Sequence, residues 1–448
     1  MDALAEAVRA GASAAELERI PVPAAYTAAH TLESDAGMFK GVADKDVRRS
    51  IRVGEVPMPE LAPDEVLVAV MASSINYNTV WSAMFEPLPT FAFLRRYGVQ
   101  DRWAARHDQP HHVLGSDASG VVVRVGSVVR RWKPGDRVVV APAHVDDHEP
   151  ATHADGMLGE EQRAWGFETN FGGLAHYAVV RASQLLPKPA HLTWEEAAAN
   201  LLCMGTAYRM LVSDRGARIK QGDIVLIWGA AGGLGAYAAQ FVRNGGGIPV
   251  GVVGSEEKAE RARALGCEVV INREEIGLSG RGGANSDNAI PDPAEAGRKL
   301  GRLIRNAVGE DPHIVFEHVG RATFGISVFV VRRGGSVVTC GSSTGYQHEF
   351  DNRYLWMRLK RVIGSHGGNL AEMAEANRLV AMGRIHPALS EVFPLTETGE
   401  AARLVQRNAH SGKVGVLCLA EREGLGVTDQ ALRDRIGERA ITPLRHLP

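Results

Sequence analysis

The chain has 448 residues, a formal net charge of −2, 45% hydrophobic and 23% charged residues, and 50 glycines. That length suits two or three domains, and the balanced charge argues against a nucleic-acid or membrane-surface protein, which would carry a basic excess. No apolar run is long enough to span a bilayer, and the opening MDALAEAVRAGA lacks the basic and apolar regions of a signal peptide, so a cytoplasmic protein without membrane contact is expected.

In chain order, residues 1–50 look polar and helical and predict an N-terminal helical arm. From 51 to about 185, short apolar runs such as EVLVAVMASSIN, ASGVVVRVG and GDRVVVAP alternate with Pro and Gly breaks, the pattern of a small β-barrel. Within it, WGFETNFGG at 165–173 sets a glutamate among aromatic residues that look buried. Near 195 the spacing turns helical in WEEAAANLLCMGTAYRMLV. Six strands are then predicted at 223–229, 248–254, 267–272, 313–319, 335–341 and 361–366, mostly separated by helical segments. This is an α/β pattern, a doubly wound parallel sheet. Residues 277–297, rich in Gly, Pro, Asn and Asp, read as a surface insertion. Beyond 366 the chain returns to mixed α and β, and GKVGVLCLA (412–420) reads as a terminal strand that packs on the first domain. The expected division is 1–50 for the arm, 51–205 with 367–448 for one domain, and 206–366 for the parallel sheet. Cys203, Cys267, Cys340 and Cys418 lie far apart, with neither metal-ligand spacing nor a disulfide framework.

The first sheet strand runs into GAAGGLG (229–235). Ala230, Gly232 and Gly235 fit G-x-G-x-x-G with Ala in the first place, and the run follows a strand and opens a helix, as a dinucleotide site requires. Gly232 lets the backbone approach a pyrophosphate. Gly233 and Leu234 carry N–H groups at the helix start, and Gly235 allows close packing of helix on strand. About twenty residues on, where an acid would select NAD, stand Gly254 and Ser255 with Lys258 nearby. A small residue and a cation suit a 2′-phosphate, so NADPH is the expected cofactor. Glu256 and Glu257 are the features that speak against it.

A β-barrel domain, a dinucleotide fold inserted into it and a returning C-terminal strand resemble the medium-chain dehydrogenase/reductase superfamily. This implies a GroES-like domain joined to a Rossmann domain. Zinc alcohol dehydrogenases of that superfamily have a Cys and a Gly-His-Glu motif in the first domain. Here the Cys is missing, Gly115-Ser116-Asp117 replaces Gly-His-Glu, and the four-cysteine lobe is absent, so no metal is expected. His111 and His112, adjacent on a strand and pointing different ways, are assigned a surface role. The stretches INYNTVW, FEPLPTFAFLRRYG, WGFETNFGG, KPAHLTWEEAAA, IVFEHVGRATFG, EFDNRYLWMRLKRVIGSH and KVGVLCLAEREGLGV together resemble crotonyl-CoA carboxylase/reductases, over about residues 50–425. These enzymes turn a 2-enoyl-CoA, NADPH and carbon dioxide into an alkylmalonyl-CoA, for central carbon assimilation or as polyketide extender units.

The resemblance implies a carbon-dioxide pocket of Asn78, Phe167, Glu168 and His366. The residue types agree with that task. The Asn78 amide can donate to an oxygen that becomes a carboxylate. An ionised Glu168 only accepts, so it would orient Asn78 or a bound water. His366 can donate or hold a water. Phe167 would supply an apolar wall and a backbone N–H. Coenzyme A contacts fall on Arg353 and Tyr354. Gly367, in GSHGGN, stands where the family commonly has a Phe, which predicts a deeper acyl pocket unless the glycine serves a backbone need. A homodimer or homotetramer is expected. Two other readings stay open. One is a plain NADPH-dependent enoyl-CoA reductase with a tyrosine proton donor; no tyrosine lies between Thr79 and Arg96, but Tyr77 is close. The other is a non-catalytic NADPH-binding protein, against which the four pocket residue types argue.

Overall fold

The structure, a computed structural model, describes residues 2–87, 89–278 and 292–447. The chain forms two compact units. The first is Met1–Leu202 with Asn369–Ala381 and Leu389–Thr442; the second is Cys203–Gly368 with Met382–Ala388 and Pro443–Pro448.

Two short helices, Ala3–Arg9 and Ala14–Arg19, open the first unit behind the N-caps Asp2 and Ser13. Ten strands follow: β1 (Ala25–Leu32), β2 (Arg52–Pro57), β3 (Glu65–Ile75), β4 (His111–Val113), β5 (Ala118–Val125), β6 (Arg137–Val140), β7 (Ala143–His144), β8 (Arg163–Ala164), β9 (Tyr177–Arg181) and β10 (Leu185–Pro187). The second unit holds β11 (Ile224–Trp228), β12 (Ile248–Val253), β13 (Val269–Asn272), β14 (Ile314–Glu317), β15 (Ser336–Thr339) and β16 (Arg361–Gly364). The chain then re-enters the first unit with β17 (Leu389–Pro394) and β18 (Lys413–Leu417).

The first unit is built around β3, all of whose residues are buried. It is the hub of a sheet ordered β10-β6-β5-β3-β18-β17, with β9 also paired to β3. The apolar runs read as strands in the sequence are thus β3, β5 and β6, and GKVGVLCLA supplies β18, antiparallel to β3. The two faces of β3 feed separate cores. Val66, Val68 and Val70 join one, and Leu67, Ala69 and Met71 join the other, as the period-two geometry of a strand requires.

The N-terminal fifty residues are not simply a helical arm. Residues 25–32 form β1, hydrogen-bonded to β2 on one side and β4 on the other. Its alanines carry helical propensity, but cross-strand pairing on both edges and burial of Tyr26, Ala28 and Ala29 outweigh it.

In the second unit the six parallel strands run in the order β13-β12-β11-β14-β15-β16. The strand order reverses between β11 and β14, so a crevice for a dinucleotide opens at the carboxyl ends of these two strands. Of the insertion expected at 277–297, residues 279–291 lie outside the described residues. Residues 293–297 belong instead to the helix Pro293–Val308, which starts with Asp292 as N-cap and Pro at the first position. No helix among the described residues is long and apolar enough to cross a membrane.

Candidate active site

The stretch WGFETNFGG owes its glycines to a backbone-on-backbone contact. It lies against residues 113–117, with hydrogen bonds from Gly172 N–H to Val113 O, Gly173 N–H to Gly115 O at 2.9 Å, and Leu174 N–H to Leu114 O at 2.9 Å. A Cβ on Gly166, Gly172 or Gly173 would overlap the carbonyl oxygens of Gly115, Leu114 or Asp117. Asn170 clamps the loop. Its Oδ1 accepts from Val113 N–H at 2.8 Å and Phe171 N–H at 2.9 Å, and its Nδ2 donates to His111 O at 2.7 Å. The aromatic residues of this loop are buried because the loop is sandwiched in the first unit, with Trp165 1% exposed and Phe167 5% exposed.

Glu168 does not reach for Asn78. Its Oε2 accepts from Ala164 N–H at 2.8 Å and closes its own turn. The Phe167 N–H donates within that turn, to Ala164 O at 3.2 Å, and so is not a free donor as expected. Its ring faces two other rings, Trp81 at 6.3 Å and Phe93 at 6.5 Å between centroids.

Asn78 is the second residue of the helix Tyr77–Met84, which begins directly after β3. Trp81 lies three residues on and therefore shares its helix face. The INYN and GFET motifs are thus brought together through the Trp81–Phe167 contact. The Asn78 Nδ2 donates to Ser116 Oγ at 2.8 Å, while its Oδ1 is buried without a partner among the described residues. Turned by half a rotation, the same amide would accept from the Ser116 hydroxyl and present its N–H pair instead. Ser116, noted in the sequence only for replacing a histidine, is thus a direct neighbour of Asn78.

The strand-to-helix junction under Asn78 is pinned by charge. Asp117 accepts from Ser74 Oγ at 2.8 Å, Asn76 Nδ2 at 2.7 Å, Lys413 Nζ at 3.0 Å and, on its other oxygen, Leu202 N–H at 3.0 Å. Lys413 also donates to Ile75 O at 3.1 Å. The Asp117 and Lys413 side chains are 1% and 3% exposed. Asp117 therefore serves an internal ion pair, and no three His, Cys, Asp or Glu side chains gather as metal ligands among the described residues. Tyr77 stacks edge-on against Trp81 at 5.5 Å, and burial raises its phenol above the ordinary value, which makes it a poorer proton donor.

His111 and His112 are not on the surface. β4 runs beside β1 and under the 165–173 loop, so both rings are buried. As expected for neighbours on a strand, they face apart. His111 meets the ring of His30 at 6.2 Å, and His112 Nε2 lies 3.3 Å from Thr169 O.

In the second unit, GAAGGLG forms the turn from β11 into the helix Gly233–Asn244. The residues fit a dinucleotide. Ala230 and Gly235 are buried, and a Cβ on Gly235 would overlap Gly229 O, so helix and strand meet closely. Gly232, Gly233 and Leu234 are half-buried, and no side chain caps the helix, which leaves its first N–H groups for a pyrophosphate. His318, at the end of β14, braces this turn: its Nε2 lies 2.8 Å from Trp228 O, beside Gly229. Its neighbour Glu317 is fully buried and accepts from Val319 N–H, Gly320 N–H, Thr323 Oγ1 and Ser327 Oγ. Ser255 caps the helix Glu256–Ala264 by accepting from Lys258 N–H at 3.2 Å. The two acids that spoke against NADPH are engaged on their own helix, Glu256 with Arg263 at 2.8 Å and Glu257 with Arg261 at 2.9 Å.

His366 follows β16 with an exposed side chain. Gly367 has φ of +52°, so the glycine does meet a backbone need. Arg353 is exposed and forms a two-point ion pair with Asp351, and Tyr354 packs edge-on against Phe329 at 4.6 Å. Arg358 is exposed.

Two family models match the chain: an alcohol dehydrogenase GroES-like domain over residues 62–190 and a zinc-binding dehydrogenase over residues 233–382. The crotonyl-CoA reductase of Streptomyces collinus is 55% identical over 425 residues, 94% of either chain. The crotonyl-CoA carboxylase/reductase of Cereibacter sphaeroides is 40% identical, covering 84% of this chain and 86% of its own. Among solved structures, the 2-octenoyl-CoA carboxylase reductase CinF of a Streptomyces species, in complex with NADP and 2-octenoyl-CoA, matches with a TM-score of 0.96 and 67% identity. It covers 100% of this chain and 99% of its own.

Proposed function

The chain belongs to the crotonyl-CoA carboxylase/reductase family of the medium-chain dehydrogenase/reductase superfamily, and from that membership we propose that it converts a 2-enoyl-CoA, NADPH and carbon dioxide into an alkylmalonyl-CoA. NADPH, when bound, supplies the hydride that adds to Cβ of the enoyl thioester. The chain's own residues decide what the resulting enolate meets at Cα. If water or an acid reaches it, Cα takes a proton and the product is a saturated acyl-CoA. If the site is dry and holds carbon dioxide, a carbon–carbon bond forms and both oxygens of the gas become the oxygens of the new carboxylate.

The observation that carries this reading is the contact of Trp81 with Phe167 in the first unit, with Asn78 three residues before Trp81 on the same helix. It joins an anchored amide to an apolar wall, the pairing that a small neutral gas needs. In this reading the Ser116 hydroxyl donates to Asn78 Oδ1, and the Asn78 N–H pair donates to the developing carboxylate. Phe167, Trp81 and Phe93 exclude water. Glu168 acts by holding the turn that presents Phe167. His366 belongs to the second unit, and its part, as a donor or a holder of water, rests on the family motif alone. So do the coenzyme A roles of Arg353 and Tyr354; Arg353 would exchange Asp351 for a phosphate.

The preferred acyl chains are six or more carbons long, or branched. The support is Gly367 in place of the family's common Phe, together with the 2-octenoyl-CoA named for CinF. A homodimer or homotetramer in the cytoplasm completes the reading. One observation favours a second possibility, plain reduction: the relative from Streptomyces collinus is named a reductase. The two are separated by incubating 2-octenoyl-CoA, NADPH and labelled bicarbonate with the unmodified protein and with N78A, S116A, E168A and H366N. Each substitution is expected to raise the share of unlabelled saturated product while NADPH oxidation continues. A product ratio that none of them changes would remove the pocket from the mechanism.

A further inference from the structure

One peptide group of the 165–173 loop, the link from Thr169 to Asn170, is held at both ends by histidines from different elements. His107 closes the 3₁₀ turn Ala104–His107, and its Nδ1 accepts from Asn170 N–H at 3.0 Å. His112, in β4, places Nε2 at 3.3 Å from Thr169 O. Burial holds both imidazoles below their usual value, His107 well below and His112 at about 4, so both are neutral near pH 7. A backbone N–H only donates and a carbonyl oxygen only accepts, so each ring carries its proton on Nε2. The other nitrogens, His107 Nε2 and His112 Nδ1, are buried without a partner among the described residues. Each ring therefore makes one hydrogen bond, and both bonds go to this peptide. A buried polar atom left unpaired lowers stability, and a leucine would fill either space without that loss. What a leucine could not supply is the bond to the peptide. The next residue, Phe171, has φ of +68°, uncommon for a residue with a Cβ, and its ring lies 4.7 Å from that of His107. On the other side, Thr169 Oγ1 accepts from Gly166 N–H at 3.3 Å, which ties the held peptide to the turn that carries Phe167.

We propose that His107 and His112 are positioning residues for the reaction: they fix the orientation of the Thr169–Asn170 peptide from both ends and, through the short turn before it, the seat of the Phe167 ring. The assignment rests on the carbon-dioxide reading above, in which Phe167 excludes water. Rotation of the peptide is opposed twice, because it would take the N–H from His107 and the carbonyl from His112 at once. Without this clamp the turn shifts against Trp81, and water gains access to the enolate. Amide side chains show which ring atom matters. Asn and Gln each offer one acceptor oxygen and one donor nitrogen. The Asn amide ends where a histidine has Nδ1, and the longer Gln amide reaches the place of Nε2. His107 works through Nδ1 as an acceptor, so Asn fits there and Gln overshoots. His112 works through Nε2 as a donor, so Gln fits there and Asn falls short.

The test compares H107N, H107Q, H112N and H112Q with the unmodified protein on 2-octenoyl-CoA, NADPH and labelled bicarbonate. H107Q and H112N are expected to raise the ratio of saturated to carboxylated product at least fivefold, while H107N and H112Q stay within twofold. A residue that only fills space gives another order: Gln, nearer to histidine in volume, is then the milder change at both positions. That order, or a ratio that none of the four variants moves, overturns the proposal. Amide hydrogen exchange in the peptide 165–173 reads the clamp without turnover. Asn170 N–H should exchange at least tenfold faster in H107Q than in H107N, with the buried strand β3 exchanging alike in both. Equal exchange of Asn170 in the two variants overturns the clamp, whatever the products. If the unmodified protein forms only octanoyl-CoA, the carboxylation reading fails and the clamp's effect on products fails with it, while the exchange pattern still decides the clamp itself.

Discussion

At Gly367 two explanations of one residue meet. Its φ of +52° is a conformation that costs a residue with a Cβ roughly 1–2 kcal/mol, yet in the proposed function the missing side chain also removes bulk from an acyl pocket. An apolar pocket gains about 0.8 kcal/mol per buried methylene. G367F and G367A carry the same backbone strain and differ in bulk. If bulk sets chain length, G367F suppresses turnover of 2-octenoyl-CoA relative to crotonyl-CoA, and G367A does not. Equal loss on both substrates in G367F would leave the backbone need as the whole explanation. The Asp117–Lys413 pair is a second test at this scale. Removing one member strands a buried charge, a loss of about 3–5 kcal/mol. K413M should lower the denaturant midpoint accordingly, and D117N/K413M should recover part of the loss; a drop below about 1 kcal/mol would mean the pair is not what holds the junction. The individual site residues were legible only through long motifs. Asn78, Phe167 and Glu168 stand out in the sequence because of their neighbours, but Ser116 and Asn170 act through contacts that sequence distance hides.

At the scale of elements, periodicity did most of the work in the second unit. Six parallel strands read as short apolar runs, and each predicted run contains an observed strand. Periodicity fails for β1 and β4, whose burial comes from pairing with partners far along the chain. The surface role expected of His112 fails for the same reason. Burial lowers its imidazole from 6.5 to about 4, with the Thr169 carbonyl opposing and His111 adding to the effect. The same loop contact buries His107, held well below its usual value by burial first and then by Arg106, Arg181, Arg163 and His112. His144, packed against Tyr97 and Arg181, is lowered for the same leading reason. The sign follows from linkage: the unfolded chain binds these protons more readily, so the stability is complete above about pH 6.5 and is lost as pH falls toward 4. For His112 alone the shift corresponds to about 3 kcal/mol. Unfolding midpoints between pH 7 and 4 should fall steeply, and H112Q should flatten the slope. A slope unaltered by H112Q would mean that His112 is solvated in solution.

For the whole molecule, family membership rests on both units together, since the GroES-like and dehydrogenase models match different parts of the chain. The sheet of the second unit ends at β16, an exposed strand, with Val362 on it and Trp356, Met357 and Leu359 just before it, all exposed. An open edge beside apolar side chains invites pairing with another strand. A second copy pairing there would cover both, so light scattering should give at least a dimer, and charge placed in the edge by V362K should weaken it. A monomer at micromolar concentration would contradict the expected assembly. The central claim is that carbon dioxide, and not a proton, takes the enolate. Its most direct test is mass analysis of the product made by the unmodified protein from 2-octenoyl-CoA, NADPH and excess ¹³C-bicarbonate. The expected result is that most of the product is hexylmalonyl-CoA carrying one ¹³C carboxylate; octanoyl-CoA without label as the main product would contradict it.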